Sequence, residues 1–481
     1  MCRRLLTSLL VPLVLLGGLA SADGADPSKV AQARKAWRYK ASGKDGWFQN
    51  ETGKRWTETT TDGAQLQFEE MARTAKYVEL FDGSRTMWLR LYSDHAEWRQ
   101  GKKSEWHRLY GGRWVQVGDL PKPAKRDYRI RLAYFVPTDR TATPDYAQKI
   151  RVLMHIVSEV YRQDFEARKI RSKGLRFETR DGQPVVHLIH GAQGAAFYNN
   201  APKYDPHNQW KHIIPEIPAS VGVPSKNLII VFAETYDSGP APFEWPGGVA
   251  LGGRFSTEGG VGLFSAWILR PEFCATTVEQ QKKWLFDTTP IKGRTALGHG
   301  RLNSPRFQFI QDGFGAVAHE LGHALGLPHD RRQDHLYIMG NGFRNLRWNF
   351  TAKPDPQRRA RFSDDNARIL YTSRYLASDL VLSDRLAPTV QLRLAGPLTA
   401  GSTTVKVSVT ASDNQGLRAI LFFSPAQDST VGGRALAGKT QTFEQTLSVR
   451  PLKAGAFRLR ALVADEGGNL TNAEVEGTVG E

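Results

Sequence analysis

The eleven positions from His319 to His329 narrow the fold of this chain more than any other stretch. His319 and His323 stand four residues apart, so on a helix of 3.6 residues per turn their imidazoles leave one face a turn apart. Glu320 follows the first histidine, where its carboxylate reaches a water on that face but lies too far round the helix to act as a ligand. Gly326 tolerates the sharply turned backbone that ends a helix, and Pro328 keeps it from resuming, so His329 folds back toward the pair. Three neutral imidazoles leave the fourth corner of a tetrahedral Zn²⁺ open to water, the arrangement of a catalytic rather than a structural zinc. Phe314, Val317, Leu321 and Leu325 mark the buried side of this helix, while Gly315, Ala316, Ala318, Gly322 and Ala324 keep it slim.

His319, Glu320, His323, Gly326 and His329, followed by a methionine in the tight run Ile338-Met339-Gly340-Asn341-Gly342, resemble the catalytic signature of the metzincin zinc peptidases. The resemblance implies that Met339 lies beneath the three imidazoles as an apolar floor and does not bind the metal. Asp330, directly after the third ligand, resembles the adamalysin variant, in which this carboxylate ties the descending chain to the methionine turn. Astacins and serralysins carry a tyrosine that assists the transition state where Asn341 stands here, so the sequence sides with the matrixin and adamalysin branches. The order of strand, long helix, further strands and zinc helix extends the likeness over residues 126–380. It places Gly247 to Gly253 where the family has the sheet-edge strand that pairs with substrate, and glycines there permit close backbone approach. A flexible surface loop is the alternative for those glycines.

At 481 residues the chain exceeds one ordinary core, and about 150 residues per domain suggests three units. The formal net charge is +17, but lysine and arginine are scattered through every segment in no run of five, which argues for a solvated basic surface and against a nucleic-acid partner. Such a field favours acidic protein substrates or an anionic cell surface. Arg3 and Arg4, the apolar run Leu5 to Leu19 and the small residues Ala20-Ser21-Ala22 form a secretory signal, residues 1–22. The run is short for a bilayer span and interrupted by Pro12, Gly17 and Gly18, so the mature chain is expected to be secreted with no membrane span. Cys2 leaves with the signal and Cys274 remains, which points to an exported protein stabilised by core burial without an internal disulfide.

Residues 23–120 read as a tryptophan-rich antiparallel β module or a propeptide: seven of the 12 tryptophans lie between Trp37 and Trp114, among glycine turns. Tryptophans in such a module form its core or, if exposed, a sugar-binding platform. No cysteine is present there to occupy the zinc as matrixin propeptides do. After the linker Pro121-Lys122-Pro123, residues 121–385 hold the peptidase-like domain. Tyr128 to Val136 alternate as its first strand, and Thr143-Pro144 open a helix whose apolar stripe is Ile150, Leu153, Met154, Val157, Val160 and Tyr161. Further strands are predicted at Val185 to Ile189, Leu228 to Ala233 and Phe264 to Leu269, and a closing helix at Ala367 to Leu376. His187, His190, His207, His212 and His299 show no ligand spacing, though they include candidates for a second, structural zinc.

Residues 386–481 resemble a bacterial immunoglobulin-like β-sandwich, with strands at Thr389 to Leu394, Thr403 to Val409, Leu417 to Phe423, Thr442 to Val449 and Phe457 to Val463. A spacer or docking role is expected, with Asp413 or Asp465 as candidate Ca²⁺ ligands. The expected fold class is therefore α+β and multidomain: a metzincin catalytic domain of twisted mixed sheet and long helices, flanked by an N-terminal β module and a C-terminal β-sandwich. The expected function is zinc-dependent hydrolysis of internal bonds in extracytoplasmic proteins. The alternative is a non-catalytic adhesion protein that binds a cell-surface glycan or protein through its β modules, the protease domain being a retired scaffold.

Overall fold

The protein is described from a computed structural model, over residues 33–41, 44–61, 65–83, 85–121, 127–200, 205–236, 250–256, 258–296 and 300–481. The signal-peptide segment, Gly247 to Val249 and His299 lie outside these residues. The chain divides into two compact units, residues 1–126 and 127–481.

The first unit is a closed barrel of eight strands, each paired with the next: β1 (Ala36–Ala41), β2 (Lys44–Thr52), β3 (Arg55–Thr60), β4 (Gln65–Arg73), β5 (Val78–Asp82), β6 (Met87–Leu91), β7 (His95–Gln100) and β8 (His107–Val115). β1 closes it by pairing with β8, Trp37 opposite Trp114. Closure removes sheet edges, and side chains fill the interior of a barrel this size. Trp37, Tyr39, Phe48, Trp56, Phe68, Val78, Leu80, Leu89 and Leu91 do so. Trp37, Trp47, Trp56 and Trp88 are buried, and Trp98, Trp106 and Trp114 half-buried, so none of the seven forms an exposed platform.

The second unit opens with β9 (Arg131–Val136) and helix α1 (Tyr146–Ala167), followed by the two-residue strands β10 (Thr179–Arg180) and β11 (Gln183–Pro184), then β12 (Val186–His190). Short helices α2 (Ala195–Asn199) and α3 (Pro206–Ile213) precede β13 (Leu228–Ala233), β14 (Ala250–Ser256) and β15 (Gly259–Ser265). The sheet runs β12-β9-β13-β15-β14, parallel throughout except for the antiparallel edge strand β14. β13 is apolar along its whole length and β9 from Leu132 to Val136, because helices and loops cover both faces. The stripe of α1 packs on one face with Ile150, Leu153, Val157, Val160 and Tyr161 fully buried.

Three boundaries differ from the sequence reading. The long helix starts at Tyr146 and not at Thr143, because Thr143 turns inward to the buried Glu234 and Tyr134. The strand expected over Phe264 to Leu269 ends at Ser265, whose hydroxyl accepts from Trp267 N (3.2 Å) and starts a 3₁₀ turn, Ala266–Leu269. The closing helix runs over Asp364–Leu370, capped by Ser363, and stops short of Leu376. With α4 (Val278–Trp284) and α5 (Arg306–Ala324) between, this last helix is α6. Among the described residues no helix is long and apolar enough to cross a membrane.

Two sheets follow: β16 (Thr389–Leu394), β18 (Thr404–Ser412) and β21 (Thr440–Ser448) in one; β17 (Leu398–Thr399), β23 (Leu470–Gly480), β22 (Gly455–Asp465), β19 (Leu417–Ser424) and β20 (Ser429–Ala435) in the other. Their facing side chains share a core of Val405, Val407, Val409, Ile420, Phe422, Leu447, Leu459 and Val463. The alternate residues of β19 and β22, namely Ala419, Leu421, Leu462 and Ala464, join instead the core that holds α1 and α5. The sandwich is therefore not a freely tethered spacer. Leu421→Ala is expected to cost about 2–5 kcal/mol and to lower hydrogen-exchange protection in α5 as well as in β19. A loss confined to the sandwich strands would contradict the shared core.

Candidate functional site

Helix α5 carries His319, Glu320 and His323, and its end is shaped by Gly326. The N–H of Gly326 donates to His323 O (3.0 Å) and that of Leu327 to Gly322 O (2.9 Å). This is a Schellman closure, and Gly326 adopts the positive φ it needs, 99°. The chain then descends through Pro328 to His329. The described residues place the imidazoles of His319, His323 and His329 together, each offering one ring nitrogen within 4.8 Å of the others.

Each ring is held at its Nδ1. His319 Nδ1 faces the carbonyl oxygen of Ile338 (2.5 Å) and His323 Nδ1 that of Leu327 (2.7 Å). A carbonyl only accepts, so Nδ1 carries the proton and Nε2 presents its lone pair. The two Nε2 atoms stand 3.1 Å apart. Lone pairs facing each other at that distance repel unless a cation lies between them. Ligands on a tetrahedral zinc with bonds of about 2.05 Å are about 3.3 Å apart, so the donor set fits such an ion. Burial first, then the neighbouring His323, hold His319 well below the usual imidazole range, and burial followed by the neighbouring His329 brings His323 to about 4. Both rings are thereby kept in the neutral, ligating form.

The third ring is oriented by a residue that sequence reasoning missed. His329 Nδ1 lies 2.8 and 2.9 Å from the two carboxylate oxygens of Asp428, in the turn between β19 and β20 of the sandwich. Arg331 binds the same carboxylate (2.9 Å), and Thr430 donates from N (2.7 Å) and Oγ1 (3.0 Å) to the His329 carbonyl. Partial burial pushes Asp428 up, but its bonds to His329 and Arg331 outweigh this and hold it below the usual carboxylate range. Lying 99 positions from His329, Asp428 leaves no signal in the motif.

Met339 is 1% exposed, and its Sδ lies 2.4 Å from where a Cβ on Gly322 would stand, so it packs directly under the helix between the two histidine turns. The tie between the descending chain and this turn is made differently from the resemblance. Asp330 N donates to Met339 O (2.9 Å), but the fully buried Asp330 carboxylate pairs with Arg332, which also reaches Asp365 (2.8 Å). Asn341 is exposed and its side chain donates to Asp334. His187 pairs with Glu178 (2.8 Å), and His187, His190, His207 and His212 join no group of three metal-ligand side chains among the described residues.

Glu320 follows His319 on helix α5. Burial pushes its carboxyl up to about 7, against a counteracting bond from the Gly253 N–H. Gly253 belongs to the edge strand β14, which runs along the helix at this point. A Cβ there would stand 2.0 Å from Glu320 O and 2.9 Å from His323 Cβ. The residues 250–253 of the glycine stretch are thus a sheet edge, paired on one side with β15.

Residues 226–413, which include all three histidines and Glu320, match a family model described as "Putative peptidase family". No curated protein matches the sequence. Solved structures similar to this chain include wild-type OgpA from Akkermansia muciniphila, at 18% identity and a TM-score of 0.49, covering 75% of this chain and 95% of that one. The catalytically inactive OgpA of the same organism, in complex with an O-glycopeptide, matches at 14% identity and 0.46, covering 75% and 96%. The PKD1 domain of the Vibrio cholerae metalloprotease PrtV matches at 18% identity and 0.14, covering 20% of this chain and 100% of that domain.

Two outcomes follow from the geometry. Asp428→Ala is expected to weaken zinc binding about 10- to 100-fold, read by competition with a colorimetric chelator; unchanged affinity would remove the carboxylate from that role. Gly253→Ala, which drives a methyl into helix backbone, is expected to displace β14 and lower turnover with zinc content intact.

Proposed function

We propose that this protein is a secreted zinc-dependent endopeptidase of the metzincin type, acting on internal peptide bonds of extracytoplasmic proteins. The observation that carries the reading is the convergence of three oriented imidazoles on the helix that carries Glu320, next to the edge strand of a β-sheet. The match of residues 226–413 to a peptidase family model supports it. Under this reading His319, His323 and His329 hold the metal, Met339 is the floor beneath them, and residues 386–481 are an immunoglobulin-like module. The signal-like residues 1–22 support export.

The zinc ion, when bound, supplies a Lewis acid that polarises a carbonyl and lowers the pKa of water. The remaining chemistry belongs to the chain. The edge strand β14, whose Leu251 carbonyl is taken by Trp210 Nε1 (2.6 Å) and whose Gly253 N–H is taken by Glu320, offers its other outward backbone groups to an extended peptide lying along the metal helix. Glu320 takes a proton from the attacking water and returns it to the nitrogen of the departing amine. A buried carboxylate is a stronger base than a solvated one, and the Gly253 N–H fixes the direction in which Glu320 points. The basic surface favours acidic substrates, and the barrel and sandwich are candidate contacts for a cell-surface glycan or protein. The competing adhesion reading predicts decay of the ligand set, whereas all three ring nitrogens here keep their orienting partners.

Glu320→Ala is expected to retain one zinc per chain while losing about 10²–10⁴-fold in turnover of an unstructured protein substrate. Full activity of the metal-replete variant would remove Glu320 as the base. The base must be ionised to act, so kcat/KM rises with pH through its pKa. Burial raises that pKa from the usual glutamate range to about 7, and a bound dication pulls it back down. The acidic limb is therefore expected below pH 7, above that of a solvated carboxylate, and to vanish in Glu320→Ala. An unchanged limb in the residual activity of the variant would assign it to another group.

A further inference from the structure

We propose that Asp384, Asp413 and Asp465 form a Ca²⁺ site that joins the segment leaving the catalytic region to two loops at one end of the sandwich. Each offers a carboxylate oxygen, and these oxygens lie within 4.8 Å of one another. Asp384 is 4% exposed and Asp465 0%. Oδ2 of Asp384 and Oδ2 of Asp413 are both buried with no hydrogen-bond partner. A buried anionic oxygen without a partner is costly, and two in one cluster call for a ligand.

Neutral donors among the described residues hold the remaining oxygens. Asn414 Nδ2 (3.0 Å) and Leu386 N (3.2 Å) donate to Asp384 Oδ1. Gln415 N and Gly416 N donate to Asp413 Oδ1, each at 2.8 Å. Asn469 donates from N (2.7 Å) and Nδ2 (2.8 Å) to Asp465. These bonds orient the carboxylates without neutralising them. The nearby Arg374 charge offsets part of that of Asp384, while its guanidinium donates to Gly467 O, Asn469 Oδ1 and Glu258. Burial first, with the Asp413 and Asp384 charges adding to it, pushes Asp465 up to about 7.

The ligand chemistry selects the cation. Oxygen-only donors with three negative charges suit a hard ion and not zinc, which takes nitrogen and sulfur more readily. Calcium bonds of about 2.4 Å place opposite oxygens about 4.8 Å apart, whereas magnesium at about 2.1 Å needs a tighter, near-octahedral set. Sequence alone raised Asp413 and Asp465; the fold adds Asp384, which comes from the other side of the junction.

The test is calorimetric titration of CaCl₂ into the zinc-loaded full chain, freed of other ions on a chelating resin, with the melting temperature measured with and without millimolar CaCl₂. One Ca²⁺ per chain is expected, with a dissociation constant at or below about 10⁻³ M and roughly tenfold weaker Mg²⁺ binding. Binding to the folded state alone raises the melting temperature. Asp413→Asn keeps the loop bonds to Gln415 and Gly416 but loses a charge. It is expected to abolish both responses, while melting without calcium at or above the temperature of the calcium-free wild type, because buried repulsion is relieved. A wild-type chain that shows neither heat nor a shift, as a cluster stabilised by a shared proton would, overturns the site. So does an Asp413→Asn chain that responds to calcium as the wild type does.

Discussion

Every feature of the site depends on where three imidazole nitrogens point. A histidine ring on a helix can rotate about two bonds, and only a partner at the far nitrogen fixes the near one. Here the partners come from three separate pieces of chain: the Ile338 carbonyl in the methionine turn, the Leu327 carbonyl just past the helix end, and the Asp428 carboxylate from the sandwich. The methionine turn is held in turn by Asp330 N bonding to Met339 O and Ile338 N bonding to Arg361 O. Folding of residues far apart in sequence is thereby converted into the direction of three lone pairs.

The same dependence involves the core that the sandwich shares with α1 and the histidine-bearing helix α5. A hinged module could not hold a carboxylate within hydrogen-bond distance of His329 Nδ1. Burial of Ala419, Leu421, Leu462 and Ala464 against the catalytic core fixes β19, and the turn after β19 then presents Asp428 in a left-handed conformation, φ 46°. Arg331 and Thr430 make the contact two-sided, binding both the carboxylate and the backbone of His329.

Much of this was legible in the sequence, for identifiable reasons. The three histidines, Glu320, Gly326 and Met339 are local: helix period, a glycine stop and a turn place them without knowledge of the rest of the fold. Leu228 to Ala233 could be read as a strand because burial on both faces makes it a continuous apolar run. The stripe of α1 was equally plain. What could not be read is long-range. β20 contains Gly432 and Gly433 and little β-branched character, so nothing marked it as a strand, although it begins next to Asp428. β23 alternates polar and small residues and was likewise missed. Asp330 could be flagged, but the choice of Arg332 over the methionine turn as its carboxylate partner depends on where α6 places Asp365. The closed barrel was visible only as β texture, because closure is decided by the pairing of β1 with β8 across the whole unit.

The account stands or falls on a single coordination sphere, so the most direct measurement is X-ray absorption at the zinc edge of the zinc-loaded wild-type chain. It predicts one zinc per chain with three imidazole nitrogens at about 2.0–2.1 Å and one further light-atom ligand, and with no sulfur scatterer from Met339. A sphere with two imidazoles or fewer, or with sulfur in it, would contradict the proposition that His319, His323 and His329 close around one ion.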